Sequence, residues 1–344
     1  MMRLSTRLGY ADGFKKSVDR AVELEDRGVD YVWVSEAYGF DAVTRLGYLA
    51  ARTKRMQIGA AILNIYSRTP AALAQTAAGL DEISDGRAIL GLGASGPQVI
   101  EGFHGVPYDK PVQRTREIME ICRIIWRRDV LDYHGKAYTL PLPPEHGTGL
   151  GKPLKILTHP VRDRVPIYLA SMGERSVELT AEAAEGWLPI FFVPELADSV
   201  WGAPLRRGFA KRAESLGPLE ILAGGALAIG DGLEHLRDLE RPHLALYIGG
   251  MGARSKNFYN ELACRYGYER EAAEIQDLYL SGRKKEAAAV VPQALLDGLS
   301  LVGPTSWVKE RIAAHREAGV TLLDVHPIGP DPLGDVERIK EWIS

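Results

Sequence analysis

The sequence predicts an α/β fold, a (β/α)8 TIM barrel with helical insertions, and three observations point to it. Short apolar strand segments alternate with amphipathic helical segments along most of the 344 residues. Eight strands can be counted, nearly all apolar throughout, as parallel strands covered on both faces should be. Three helix-to-strand joins share one form: EDRGVDYVWV, EAAEGWLPIF and REAGVTLLDV. In each, Gly28, Gly186 or Gly319 can take the left-handed position that ends a helix. The composition also fits a doubly wound sheet, but eight units in one chain of this length favour the barrel.

The first strand, over residues 4–9, leads to Asp12, a candidate N-cap, and a helix with Phe14, Val18, Ala21 and Val22 on its apolar face. YVWVSE follows Gly28, then a helix over 41–53 and the strand MQIGAAIL. Pro70 suits a first helical turn, and Leu73, Ala77, Leu80 and Ile83 share one face of that helix. RAILGLG closes the fourth unit, and the next convincing helix runs over 111–128. Residues 129–163, with proline, glycine and few apolar pairs, read as an insertion over the surface. The alternation resumes with VPIYLAS, a helix over 174–185, WLPIFF, a helix over 202–215 and LEILAGGALAI. Residues 231–300 are helical in pattern and rich in tyrosine, a second insertion. A helix from Pro304 to Gly319, the strand TLLDVHP and a last helix complete one expected domain over 1–344.

Apolar residues make up 46% of the chain and charged residues 25%, with a net charge of -3, so nothing points to nucleic acid or an acidic membrane as partner. Cys122 and Cys264 lie far apart within helical patterns and lack metal-ligand spacing, so no metal site is expected. The amino terminus lacks the apolar core of a secretion signal, and no window reaches the length of a membrane span; a cytoplasmic protein is expected. No HExxH, CxxC or serine–histidine–acid pattern suggests a metalloenzyme or hydrolase.

Gly91, Gly93 and Gly96 spell G-x-G-x-x-G within RAILGLGASGPQVIEGFHG. A dinucleotide-binding turn normally follows the first strand and enters its helix at once, with an acid closing the next strand. Here three βα units precede the glycines, and Glu117 lies on a helix. The stretch instead reads as a side-chain-poor loop at a strand's C-terminal end, where backbone can approach a ligand.

The segments SEAYGFDAVTRLGYLAARTKRMQIG, SRTPAALAQTAAGLDEISDGRAILGLGASGPQVIEGFHGVPYDKPVQRTRE and VPIYLASMGERSVELTAEAAEGWLPIFF resemble the bacterial luciferase-like superfamily. The resemblance is to its coenzyme F420-dependent branch, related to methylenetetrahydromethanopterin reductases, and GLGxSGPQVxEGxHG is its most specific block. It implies a TIM barrel whose mouth holds the deazaflavin, with a non-proline cis peptide at Ala61–Ile62 behind the ring. It also implies that Gly93, Ala94, Ser95 and Gly96 line the ring and ribityl chain, and that Ser171, Met172, Gly173, Glu174 and Arg175 receive the phosphodiester at a helix start. Glu174-Arg175 departs from the proline-lysine pair of many relatives, and a carboxylate there repels phosphate unless it points away.

Glu36 fills the place of an acid near the hydride-transferring carbon, as hydrogen-bonding group or general acid/base; it can equally be a carboxylate capping the next helix. Ala37 departs from the acid–histidine pair of sugar-phosphate dehydrogenases. His104 is the histidine close to the glycine-rich strand end, a candidate for chemistry or for a structural contact. Arg68, Arg114 and Arg116 are candidates for the carboxylates of the coenzyme's oligoglutamate tail. The implied activity is hydride transfer between the deazaflavin C5 and a small-molecule substrate, with a homodimer as assembly. An FMN-dependent monooxygenase and a cofactor-free binding barrel are the alternatives.

Overall fold

The computed structural model describes residues 2–9 and 13–344. Eight parallel strands form a closed ring in chain order: β1 (Arg3–Leu8), β2 (Tyr31–Val34), β3 (Gln57–Ala60), β4 (Ala88–Gly93), β5 (Ile167–Ala170), β6 (Gly186–Trp187), β7 (Glu220–Ile229) and β8 (Leu322–Pro327). β8 pairs with β1 and β7, and β7 takes up β6 through Glu220↔Gly186, which closes the barrel. The principal helices between and after the strands are α1 (Phe14–Asp26), α2 (Ala42–Arg52), α3 (Pro70–Ile83), α4 (Pro111–Trp126), α5 (Glu174–Ala183), α6 (Ala203–Phe209), α7 (Thr305–Glu317) and α8 (Pro332–Ile343). This is the (β/α)8 TIM barrel expected.

The barrel interior is filled by Tyr31, Trp33, Ile89, Tyr168, Leu188, Leu222 and Leu322, capped by Ala61, Ile62 and Ala170. Aromatic rings in a narrow barrel need space from neighbouring strands. A Cβ at Gly59 would lie 2.6 Å from the Trp33 ring, and one at Gly186 2.3 Å from the Tyr168 ring. That corrects the expectation for Gly186. Gly28 and Gly319 do take the left-handed conformation, each with φ of 87°, but Gly186 is a strand residue selected by the bulk of Tyr168.

Several boundaries also differ. Asp12 lies outside the described residues, and the residue before α1 is Gly13, with no side-chain cap. The strand read over 56–63 is broken by a cis Ala61–Ile62 bond, beyond which Leu63–Asn64 pairs with β4. The strand read in WLPIFF stops at Trp187. A helix expected only from residue 111 is preceded by a six-residue one, Pro97–Gly102, because Gly96 and Pro97 together start a turn directly after the glycines. The second insertion ends in an unexpected short strand, Leu301–Gly303, paired with the far end of β7; three residues show no periodicity to read.

The first insertion carries a small hairpin, Tyr133–His134 with Thr139–Leu140. It is anchored by the buried Glu117 of α4, whose carboxylate accepts the backbone N–H groups of Lys136 at 2.7 Å, Ala137 at 3.0 Å and Tyr138 at 2.8 Å. Burial opposes its charge, yet the Gln113 amide and these N–H groups hold the carboxyl below the usual range. Both cysteines are free.

His315 on α7 is fully buried; Nδ1 contacts the Arg311 carbonyl at 2.8 Å, and Nε2 has no partner. Burial pushes its pKa down from 6.5 to about 4. A group kept neutral in the fold contributes stability above its unfolded pKa and loses it as pH falls toward the folded one. Unfolding stability is therefore expected to drop between about pH 6.5 and 4 by on the order of 3 kcal/mol at most from this residue. Urea titrations of wild type and His315→Gln across that window measure it; equal pH slopes would refute it.

Candidate functional site

The C-terminal ends of the strands form the mouth, the face where this fold places ligand chemistry. β2 delivers Glu36, buried and bound on every side. Both its oxygens accept from Arg68, at 2.8 Å each, and Oε2 also accepts the Ala42 N–H at 3.0 Å. Arg68 reaches on to Asp41 at 2.7 Å, and Asp41 caps α2 through the Thr44 N–H, also at 2.7 Å. Burial would raise the Asp41 carboxyl, but Thr44 and Arg68 outweigh it and hold it low. Through these bonds the Glu36 carboxylate ties the end of β2 to α2 and the β3–α3 loop.

β3 ends at the cis bond, with Ala61 and Ile62 over the barrel core. β4 lies flat beside it because of its glycines. A Cβ at Gly91 would stand 1.7 Å from the Ala60 carbonyl oxygen, and one at Gly93 would be 2.9 Å from the Ile62 side chain. So the first two glycines of the motif serve strand packing and the floor of the mouth. Ala94 is half-buried, Ser95 is exposed with φ of 56°, and Gly96 opens the short helix.

Asn64, which the sequence reading missed, links this floor to His104. Its Oδ1 accepts the N–H groups of Tyr66 at 3.0 Å and Ser67 at 2.7 Å, so the amide orientation is fixed and Nδ2 lies 3.2 Å from His104 Nε2. An amide NH2 only donates. His104 Nε2 is therefore the acceptor, and the neutral ring carries its proton on Nδ1. A polar residue between apolar neighbours at a strand end was the available signal.

Beside β4, and paired with it up to Gly93↔Ala170, β5 runs into Ser171–Arg175. The Ser171 hydroxyl donates to Thr180 Oγ1 at 2.8 Å, whose own hydrogen goes to the Ser176 carbonyl, and the Ser171 carbonyl accepts the Trp187 indole, so this residue holds the turn. The Met172 carbonyl accepts the Trp201 indole at 3.1 Å. Gly173 precedes α5 with no side-chain cap, and a Cβ there would meet only the Ser176 hydroxyl, at 3.7 Å. Glu174 turns toward α6, 3.5 Å from Arg207, and Arg175 is exposed with no ion pair among the described residues.

The three arginines considered for a carboxylate tail are otherwise engaged: Arg68 with Glu36, Arg114 with Asp109 at 2.7 Å, and Arg116 with Glu182 through two 2.8 Å bonds.

The sequence reading also missed a charged cluster opposite the glycines. Asp324 on β8, 3% exposed, accepts from Ser5 Oγ at 2.7 Å and Arg7 Nη2 at 3.0 Å, and lies 3.2 Å from His326 Nε2. Burial works against its charge, but Arg7 and His326 hold the carboxyl far below the usual range. Charged residues at alternate positions of an otherwise apolar strand, as in LLDVHP, were the legible sign. No group of His, Cys, Asp or Glu among the described residues could hold a metal ion, and no helix there is long and apolar enough to cross a membrane.

A family model described as luciferase-like monooxygenase matches residues 1–322. The chain is 41% identical over 345 residues to the protein named "Putative coenzyme F420-dependent oxidoreductase Rv3520c" of Mycobacterium tuberculosis (strain ATCC 25618 / H37Rv), covering 99% of this chain and 97% of that one. Among solved structures, the coenzyme F420-dependent tetrahydromethanopterin reductase of Methanopyrus kandleri superposes with a TM-score of 0.79 at 22% identity, covering 98% and 97% of the two chains. The oxygenating constituent of 3,6-diketocamphane monooxygenase from Pseudomonas putida, in complex with FMN, gives 0.65 at 20% identity, covering 100% and 98%. At these identities the structures bear on the fold alone.

Proposed function

The chain belongs to the luciferase-like monooxygenase family, and from that premise we propose that it is a coenzyme F420-dependent oxidoreductase moving a hydride between the deazaflavin C5 and an organic substrate. The observation that carries this reading is the floor of the mouth. Ala61–Ile62 and the glycines of β4 leave a flat surface without large side chains, next to an uncapped helix start at Gly173 on the neighbouring strand. The donor set fits the coenzyme. A tricyclic ring suits the floor over Ala61, Ile62 and Gly93–Gly96, and a phosphodiester suits the free N–H groups of α5 beside Arg175. The diversion of Glu174 toward Arg207 removes the repulsion its carboxylate would otherwise cause. When bound, the deazaflavin supplies two-electron hydride chemistry; the protein orients ring and substrate and shields them from water.

Glu36 acts in this reading by fixing the β2 end, and His104 presents an Nδ1–H donor set by Asn64. The 41% identical relative supports the deazaflavin, and FMN is the alternative because a neighbour of the same fold was solved in complex with it. Fluorescence titration of the purified protein with F420 and, separately, with FMN tests the choice. Binding of F420 at micromolar or tighter, with FMN much weaker, is expected. The reverse preference would make it a flavin monooxygenase, and binding of neither would make it a cofactor-free barrel.

A further inference from the structure

Ala61, Ile62, Gly93 and Ala94 give the floor of the mouth carbon and backbone only. His104 stands at its rim. Asn64 pairs with Gly93 in the β ladder, and its amide nitrogen reaches His104 Nε2 at 3.2 Å. The Phe103 ring meets the imidazole edge to face, with 5.2 Å between centroids and 86° between planes. One contact fixes a nitrogen and the other fixes the plane, so the direction of Nδ1 is set.

The tautomer is fixed as well. A neutral imidazole free of constraint favours the Nε2–H form, but a bond made by one nitrogen decides the state of the other. Here Nε2 faces an amide NH2, which cannot accept. Turning the Asn64 amide to offer its oxygen would set NH2 against the Tyr66 and Ser67 N–H groups that now donate to Oδ1 at 3.0 and 2.7 Å, and Asn64 is buried. Donors left unpaired in a buried site are costly, so the amide keeps its orientation and the imidazole keeps its proton on Nδ1. Nδ1 has no hydrogen-bond partner among the described residues.

We propose that Asn64 is a positioning residue that makes His104 a permanent hydrogen-bond donor at the mouth, and that its Nδ1–H holds a carbonyl oxygen on the edge of a pyrimidinedione ring lying on the floor. The proposal rests on the coenzyme reading above. Deazaflavins and flavins share that edge, so the recognition is common to F420 and FMN. The donor is uncharged, which suits a neutral oxygen better than a phosphate. A floor of carbon and backbone leaves the edge oxygens of a flat ring to be met from the rim. Tyr38 and Phe103, 55% and 64% exposed with centroids 6.3 Å apart, continue the apolar surface past His104. In this role His104 neither gives up a proton nor takes one.

Long-range proton–nitrogen NMR spectra of the ligand-free protein with labelled histidine read the tautomer at about pH 8.5, above the ordinary imidazole range. His104, assigned by its loss in His104→Phe, is expected to carry its proton on Nδ1; the Nε2–H form would overturn the proposal. Asn64→Asp keeps an oxygen for Tyr66 and Ser67 and presents a second one to His104, so the proton is expected to move to Nε2. Unmoved resonances of the other histidines show an intact barrel, and an unmoved His104 tautomer would overturn the role of Asn64. Titrations with F420 and with FMN follow. The ligand that binds should perturb the His104 Nδ1 resonance. Asn64→Asp and His104→Phe should each bind it about five- to tenfold more weakly, and the double variant no more weakly than either. Binding that leaves Nδ1 unperturbed, or full affinity in His104→Phe, would overturn the donor role. The same perturbation by FMN without binding of F420 would sink the coenzyme reading alone, and binding of neither would overturn both.

Discussion

Gly91→Ala is expected to destabilise the protein by about 3 kcal/mol or more, or to prevent folding, whereas Gly96→Ala should cost less than about 1 kcal/mol. The new methyl at residue 91 would sit 1.7 Å from the Ala60 carbonyl oxygen, a backbone atom held in the β3–β4 ladder that cannot turn aside. At Gly96 the nearest atom is the Gln98 side chain at 3.7 Å, and φ is -129°, open to any residue. Gly93→Ala lies between, because Ile62 at 2.9 Å can give only by moving the floor itself; it should fold but weaken coenzyme binding. Urea unfolding of the three variants ranks them. A Rossmann-type turn needs its third glycine for close packing, so a large loss at residue 96 with tolerance at 91 would refute the barrel account.

Asp324→Ala should cost about 3 kcal/mol, less than the largest losses for broken buried pairs because Arg7 retains some access to water. It strips Arg7 and His326 of their shared anion and Ser5 of its acceptor. The pH dependence has a definite sign. A carboxyl whose folded pKa is depressed contributes stability above its unfolded value, near 4, and loses it as pH falls. The wild type should thus shed this contribution below about pH 4, and the variant should show a flatter acid limb. Parallel limbs in denaturant titrations from pH 7 to 3 would show that the pairing adds nothing.

Much of the architecture was legible in the chain. Apolar strands at regular intervals, Gly28 and Gly319 at helix ends, and Pro70 and Pro111 at helix starts each act through local backbone preferences, which a sequence displays. Part of the site was legible for the same reason, because a glycine-rich strand end leaves a side-chain-poor loop whatever surrounds it. Gly186 shows where local reasoning stops, since it matched the helix-end pattern but answers to Tyr168, 18 positions earlier in the chain and adjacent in the barrel.

The sequence by itself therefore determined the strand and helix alternation, the barrel and the location of a bare loop at its mouth. Tertiary structure alone decided which polar groups remain available there. Glu36, open in sequence to two readings, and Arg68, Arg114, Arg116 and Ser171 bond to partners 5 to 66 residues away in the chain. Asp324, His326, Glu240 and His243 looked unremarkable and meet at one cavity. Short-range backbone preference is written along the chain, whereas hydrogen bonds and charge pairs depend on distances that only the closed barrel sets.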